Sequence, residues 1–365
     1  MLNPNDQTMK AILETAERFV ERELKEGVFE RDAYPYHDYA GSALKAAGEA
    51  GLLFITAPEE LGGIGLPPAA WALVLEKVAY ADAGFAASLL AHALALEALL
   101  ESQSSELKKT WISADPPKLL AAQLYLQSDD LQNLPAAEKR ADEYLLTGTA
   151  RLVANAPVSG AAVIAADLGD EGPGLFLVPI AGKEKPAPVE MLGLRACPVG
   201  DLELADLKVP ADHLLLQGEA VVSALHEKFH LAAAAIALAT LKGSLDYAIE
   251  YGMERYQGGK MIYEHSQLRS MYGRMAVEHT ALRTAWLKLV ADGQDREQSL
   301  SLKVMAGELA IRGATDGVQL LGGYGYTMEY PQERRMRDAR QTAEILGSPA
   351  RLRLSLIERI LKRVK

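Results

Sequence analysis

Hydrophobic spacing changes character twice along the chain. From about residue 7 to 111, apolar positions recur at helical intervals. Segments such as 9–25 and 69–80 read as helices, separated by a break at Pro35 and by the loop 58–67. After Pro116-Pro117 the period falls to two: runs at 119–126, 143–149, 161–166, 174–179, 188–191 and 200–209 are strand-like and bounded by turn residues. Such spacings leave no room for crossover helices, so the pattern predicts an antiparallel sheet or barrel of about 100 residues rather than a doubly wound dinucleotide fold.

Beyond Pro210 the helical period returns. Leu241, Leu245, Ile249 and Met253 fall four apart and read as a core face, while alanines 232–235, Ala237, Ala239 and Gly243 admit a closely packed neighbour. Further helices are expected over 266–292, 298–321 and 350–364, the last with Ser348 as N-cap and Pro349 in its first turn. The predicted fold class is α+β, mainly α. It comprises a helical domain over 1–116, a central antiparallel β-barrel or sheet over 117–217, and a four-helix bundle over 218–365.

Composition narrows the functional classes. Hydrophobic residues make up 49% and charged residues 24%, an ordinary globular balance. With 38 Lys plus Arg against 49 Asp plus Glu, the net charge of -11 argues against nonspecific nucleic-acid binding and attachment to anionic membranes. Cys197 is the single cysteine, so no intrachain disulfide forms, and a buried, reduced thiol is expected. The seven histidines show no metal-ligand spacing, and no metal site is expected. The first residues lack a basic stretch followed by an apolar one, and the run 231–241 is too short to span a bilayer; a cytoplasmic protein is the expectation.

One stretch carries more information than the rest: Gln319-Leu-Leu-Gly-Gly-Tyr-Gly-Tyr-Thr-Met-Glu-Tyr-Pro-Gln-Glu-Arg-Arg-Met-Arg-Asp-Ala-Arg340, leading into Ile345-Leu346-Gly347-Ser348. It resembles the carboxy-terminal signature of acyl-CoA dehydrogenases. Two further segments are similar to that family: the loop Pro58-Glu-Glu-Leu-Gly-Gly-Ile-Gly65 and the run Gly193 to Pro210. The glycines Gly322, Gly323 and Gly325 follow a helix rather than a strand, so they are not a dinucleotide fingerprint.

The resemblance implies FAD-dependent oxidation of an acyl-CoA thioester, in which a carboxylate removes the α proton while hydride passes to the flavin. It also implies that the family's catalytic glutamate position is Leu346, and that an alternative position used in some branches is Phe229. Neither side chain can accept a proton. Glu344 and Glu227 each lie two residues away, about 200° around a helix, and read as ordinary ion-paired carboxylates; His230 reads as a packed or capping residue.

Cofactor residues divide in the same way. Within the family, part of each FAD is held by a chain's own β domain, and the adenosine end by a neighbour's bundle. The own-chain positions are degraded: the stretch 126–133 lacks the family's glycine turn, and Leu152-Val153-Ala154 replaces an aromatic residue and a hydroxyl. The positions lent to a neighbour are retained: Arg255, Gln319, Gly322 and Gly323, with Lys260 and His265 nearby. The expectation is a noncatalytic subunit of a hetero-oligomeric, tetrameric dehydrogenase, sharing FAD with a catalytic partner, with an electron-transferring flavoprotein as the family's usual acceptor. The alternative is a competent flavin-dependent dehydrogenase or oxidase with a displaced base.

Overall fold

The computed structural model describes residues 7–34, 41–113, 118–126, 133–180, 185–293 and 295–364. Helix α1 (Gln7–Phe19) runs on through a π-helical turn, Val20–Leu24, and is followed by α2 (Val28–Asp32), α3 (Gly41–Glu49), α4 (Pro68–Ala81), α5 (Ala83–Glu101) and α6 (Ser105–Trp111). α5 is apolar all round and buried along almost its whole length, more so than its neighbours. Its start is fixed by Asp82, which accepts the Phe85 amide at 3.0 Å and pairs with Arg31 at 2.8 Å.

Seven strands follow: β1 (Leu120–Gln123), β2 (Ala136–Arg140), β3 (Glu143–Ala154), β4 (Ala161–Asp167), β5 (Pro173–Pro179), β6 (Val199–Pro210) and β7 (Leu214–Gln217). β3 pairs with β6 on one side. On the other it pairs with β1 and β2, which occupy successive stretches of one position between β3 and β4. β5 and β7 complete the sheet. Of the sheet or barrel expected, the structure forms an open sheet, and it is mixed rather than purely antiparallel: β4 runs parallel to β1 and to β2. A parallel pair needs a long return path, and the β2–β3 hairpin supplies it where a helix would otherwise be required. The expected strand at 188–191 is only a bridge from Pro188 to Gly200.

Both faces of the central strands are covered. Val163, Leu175 and Leu177 join the large core shared with the helices, while the alternate residues Ile164, Phe176 and Val178 join a second core with Tyr144 and Leu204. Asn155 ties sheet to helices: it receives the Ser88 hydroxyl at 2.6 Å and donates to the Ser88 carbonyl at 2.8 Å, with φ of 66°. Cys197 is buried beside it, its thiol pushed up to about 12 by burial.

The carboxy-terminal part contains α7 (Glu219–Lys228), α8 (His230–Glu254), the small hairpin β8 (Tyr256–Gln257) and β9 (Lys260–Met261), α9 (Ser266–Asp292), α10 (Arg296–Leu321), a 3₁₀ turn (Gly322–Tyr326), α11 (Pro331–Thr342) and α12 (Pro349–Val364). α8 packs on α10 so closely that a methyl at Gly313 would stand 2.1 Å from Leu241. Leu241 and Leu245 are core, but Met253 is 59% exposed. A strict four-residue repeat drifts about 40° per step on a 3.6-residue helix and leaves the buried face by its end. Two helices, α5 and α8, are long and apolar enough to cross a bilayer, yet 89% and 78% of their most apolar windows are buried inside the protein.

Asn155→Ala is expected to lower stability by about 2–4 kcal/mol, since it strands the Ser88 hydroxyl and places alanine in a left-handed conformation. Urea denaturation measures this; a loss under about 1 kcal/mol would show that Asn155 is not the tie described.

Candidate functional site

The turn that leaves α11 brings the two base positions of the sequence reading together. Leu346 adopts φ of 55°, is 2% exposed, and donates its amide to the Leu124 carbonyl at 2.8 Å, joining the bundle to the sheet. Phe229, at the junction of α7 and α8, is fully buried, and the ring of the adjacent His230 lies against the Leu346 backbone. Burial, reinforced by the nearby Lys303 cation, pushes His230 down to about 3, so the ring is neutral.

Lys303 of α10 is the residue the sequence reading missed. It is 2% exposed, and its ammonium donates to the Ala343 carbonyl at 2.9 Å and to the Gly347 carbonyl. Burial lowers its pKa to about 7. The signal was present: Lys303 lies in helical phase with Ala306, Ala310 and Gly313, the small-residue face of α10. A lysine on that face must reach acceptors inside the core, and the carbonyls of the turn are those acceptors.

The neighbouring carboxylates are engaged elsewhere. Glu344 pairs with Arg340 at 3.5 Å, and the buried Glu227 is held by Arg359 and, at 3.8 Å, by Arg296. The charged run 333–340 is buried or half-buried at every position except Arg340. Asp338 accepts the Leu194 amide at 2.6 Å, Gln341 accepts the Gly193 amide at 3.1 Å, and Arg337 holds Asp32 and Glu333. The reason is position: α11 is wedged between the amino-terminal helices and the chain leading into β6. Burial raises the Asp338 carboxyl to about 6.

On the own-chain side, positions 127–132 lie outside the described residues. Val153 and Ala154 are fully buried and committed to sheet pairing with Gly200 and Val199. These residues offer a flavin ring neither an aromatic face nor a hydroxyl, so they do not fit one.

The residues at the other end of α10 have a different character. Gln319 is exposed, and its carbonyl accepts the Gly322 amide; Gly322 has φ of 59°, and no atom lies within 4 Å of where a Cβ would stand on Gly322 or Gly323. Arg255, at the end of α8, is exposed and sits 5.6 Å from the Tyr324 ring centre. Tyr324 in turn packs with Tyr330 at 5.2 Å and Tyr251 at 6.4 Å. Arg255 and the glycine turn thus share one open, aromatic surface with bare backbone and a guanidinium, a chemistry suited to a phosphate or a purine. Nearby, the Lys260 ammonium bonds the Glu264 carbonyl at 3.1 Å, and His265 lies 3.0 Å from the Gln257 carbonyl. Lys303 and Gln319 lie about 24 Å apart along α10 at 1.5 Å per residue, which separates the Leu346 turn from the Arg255 surface. Among the described residues no cluster of His, Cys, Asp and Glu is suited to a metal ion.

Sequence profiles decide the family. The acyl-CoA dehydrogenase N-terminal domain matches residues 6–114, and the acyl-CoA dehydrogenase C-terminal domain matches residues 217–361. The chain belongs to the acyl-CoA dehydrogenase family. It is 28% identical to cyclohex-1-ene-1-carbonyl-CoA dehydrogenase of Syntrophus aciditrophicus, over 95% of this chain and 88% of that protein. The glutaryl-coenzyme A dehydrogenase structure superposes with a TM-score of 0.89 at 26% identity, over 99% of this chain and 97% of the other. A chain from a structure of the electron transferring flavoprotein of Acidaminococcus fermentans superposes at 0.88 with 26% identity, over 99% and 100%. Leu346 and Phe229 are both buried and apolar, and neither side chain can accept a proton.

The neutral imidazoles give a pH test. An unfolded imidazole takes its proton near 6.5, whereas burial holds His92 down to about 4 and His230 to about 3. Below 6.5 the unfolded chain therefore holds more protons, and stability falls as pH falls, by about 1.4 kcal/mol per unit for each ring. His230→Gln should remove one ring's share of that slope between about pH 6 and 4.5 in stepped urea titrations; an unchanged slope would contradict a neutral, buried His230.

Proposed function

We propose that this chain is a noncatalytic subunit of a hetero-oligomeric, FAD-dependent acyl-CoA dehydrogenase. The observation that carries the reading is that both base positions are filled by buried apolar side chains, Leu346 and Phe229. Removal of an α proton needs a group that can accept it within hydrogen-bond reach of the substrate carbon, and these residues supply none. The nearest carboxylates, Glu344 and Glu227, are bound to arginines.

What the chain lends is the surface formed by Arg255, Gln319, Gly322 and Gly323. Here an arginine fork and unshielded backbone are positioned for the pyrophosphate and adenosine end of a FAD whose ring is held by a partner. FAD, when bound in the partner's half-site, supplies the hydride acceptor; this chain's residues bind and orient its distal end. The partner is a second acyl-CoA dehydrogenase-fold chain that retains its glutamate and flavin-ring contacts, and the complex acts on an acyl-CoA. The relationship to cyclohex-1-ene-1-carbonyl-CoA dehydrogenase favours a ring-containing acyl group, and the relationship to a chain in an electron transferring flavoprotein structure favours such a flavoprotein as acceptor.

The chain purified alone should be colourless and inert toward acyl-CoA, and should give a yellow, active complex when co-expressed with its catalytic partner. Arg255→Ala should weaken FAD retention by that complex about tenfold or more, as expected for a lost charge-assisted contact, and leave its assembly intact. Leu346→Glu in the lone chain should restore no activity. A lone chain that carries one FAD and is reduced by acyl-CoA would overturn the proposal in favour of a flavoenzyme with a displaced base.

A further inference from the structure

A cavity of about 640 Å³ opens where the amino-terminal helices meet the bundle, walled by the π-helical turn after α1 and by α4, α8 and α9. Its size lies within the usual range of small-molecule sites. It shares no residue with the base positions or with the Arg255 surface, and does not depend on the flavin reading.

Three observations mark it as more than a packing gap. The first is His279, which lines the cavity and is only 7% exposed, yet among the described residues no hydrogen bond reaches its ring. Its ring nitrogens are not sealed from the cavity and are free to bond a molecule there. The second is the π-helical turn: the Lys25 amide bonds the Val20 carbonyl at 2.9 Å, and Val20 and Glu21 form part of the wall. Such turns are rare and recur at functional positions.

The third is that every charge on the wall is already matched. Arg283 holds both oxygens of Glu76 at 2.5 and 2.9 Å; Lys242 holds both oxygens of Asp246 at 2.5 Å; Lys77 pairs with Glu17 at 2.7 Å. The Tyr80 hydroxyl donates to Asp246 at 2.8 Å. An ionic ligand would have to compete with these pairs for its counter-charge. Val20, Ala239 and the aliphatic stems of the lysines form the remaining surface. The imidazole of His279 is an open polar contact, offering one donor and one acceptor to a ligand.

We propose that this cavity binds an uncharged small molecule made of an apolar body and a single hydroxyl group, with the hydroxyl hydrogen-bonded to His279. Because its walls come from both helical regions, occupancy fastens α1 and α4 to α8 and α9.

2-Naphthol is a suitable probe, because it has that composition and its own fluorescence. Titrated into the full-length protein, with its catalytic partner if the two co-purify, it should bind saturably at one site per chain. Naphthalene, which lacks the hydroxyl, should bind at least about tenfold more weakly. His279→Phe should remove the preference for 2-naphthol over naphthalene, whereas His279→Asn, which keeps a donor and an acceptor, should retain it; circular dichroism establishes that each variant is folded. Absence of saturable binding, equal affinity for the two probes in the unaltered protein, or a preference unchanged in His279→Phe would each overturn the proposal.

Discussion

The buried ammonium of Lys303 sets the geometry on which the rest of the site depends. The turn after α11 must reverse direction inside the protein, which leaves backbone carbonyls away from water. Lys303 satisfies two of them, those of Ala343 and Gly347, from the facing side of α10. With the turn fixed, Leu346 is held in a left-handed conformation that costs about 1 kcal/mol, and its amide is directed to Leu124 on the sheet. One side chain thus fixes the turn that carries Leu346, and the neutral His230 lies against its backbone.

The same helix links two chemically different regions. α10 carries Lys303 in its first half, against the turn that bears Leu346, and Gln319 at its end, beside the Arg255 surface. Packing at the Lys303 end tolerates leucine and phenylalanine because a core needs volume and apolarity there, not a carboxylate. At the far end Leu320 and Leu321 are buried in the core, whereas Gln319, Gly322 and Gly323 face outward. The open backbone at Gly322 and Gly323, and the arginine placed over Tyr324, make few contacts that stability requires.

Much of this was legible in the residues. The long helices at 266–292 and 298–321 and the last helix follow directly from their period and caps, and Ser348 does accept the Arg351 amide at 3.4 Å. The family followed from a few motifs, and Leu346 could be located by counting from them. Strand β2 escaped notice because four of its five residues face solvent, and β7 is only four residues long. The parallel pairing of β4 depends on a hairpin returning the chain, which local spacing does not encode. The buried faces of α11 and Lys303 were missed for a common reason. Charge normally signals solvent, and only the fold shows that partners wait inside: Asp32 for Arg337, the amide of Leu194 for Asp338, and two carbonyls for Lys303.

The most direct measurement is an experimental structure of the flavin-loaded complex of this chain with its catalytic partner. The account predicts density for an isoalloxazine ring in the partner's β domain, with the adenosine end of that FAD against Arg255 and the Gly322-Gly323 turn of this chain. An isoalloxazine ring seated on this chain's own sheet beside Leu152 and Val153, with an ionisable group of this chain within reach of the thioester's α carbon, would contradict it.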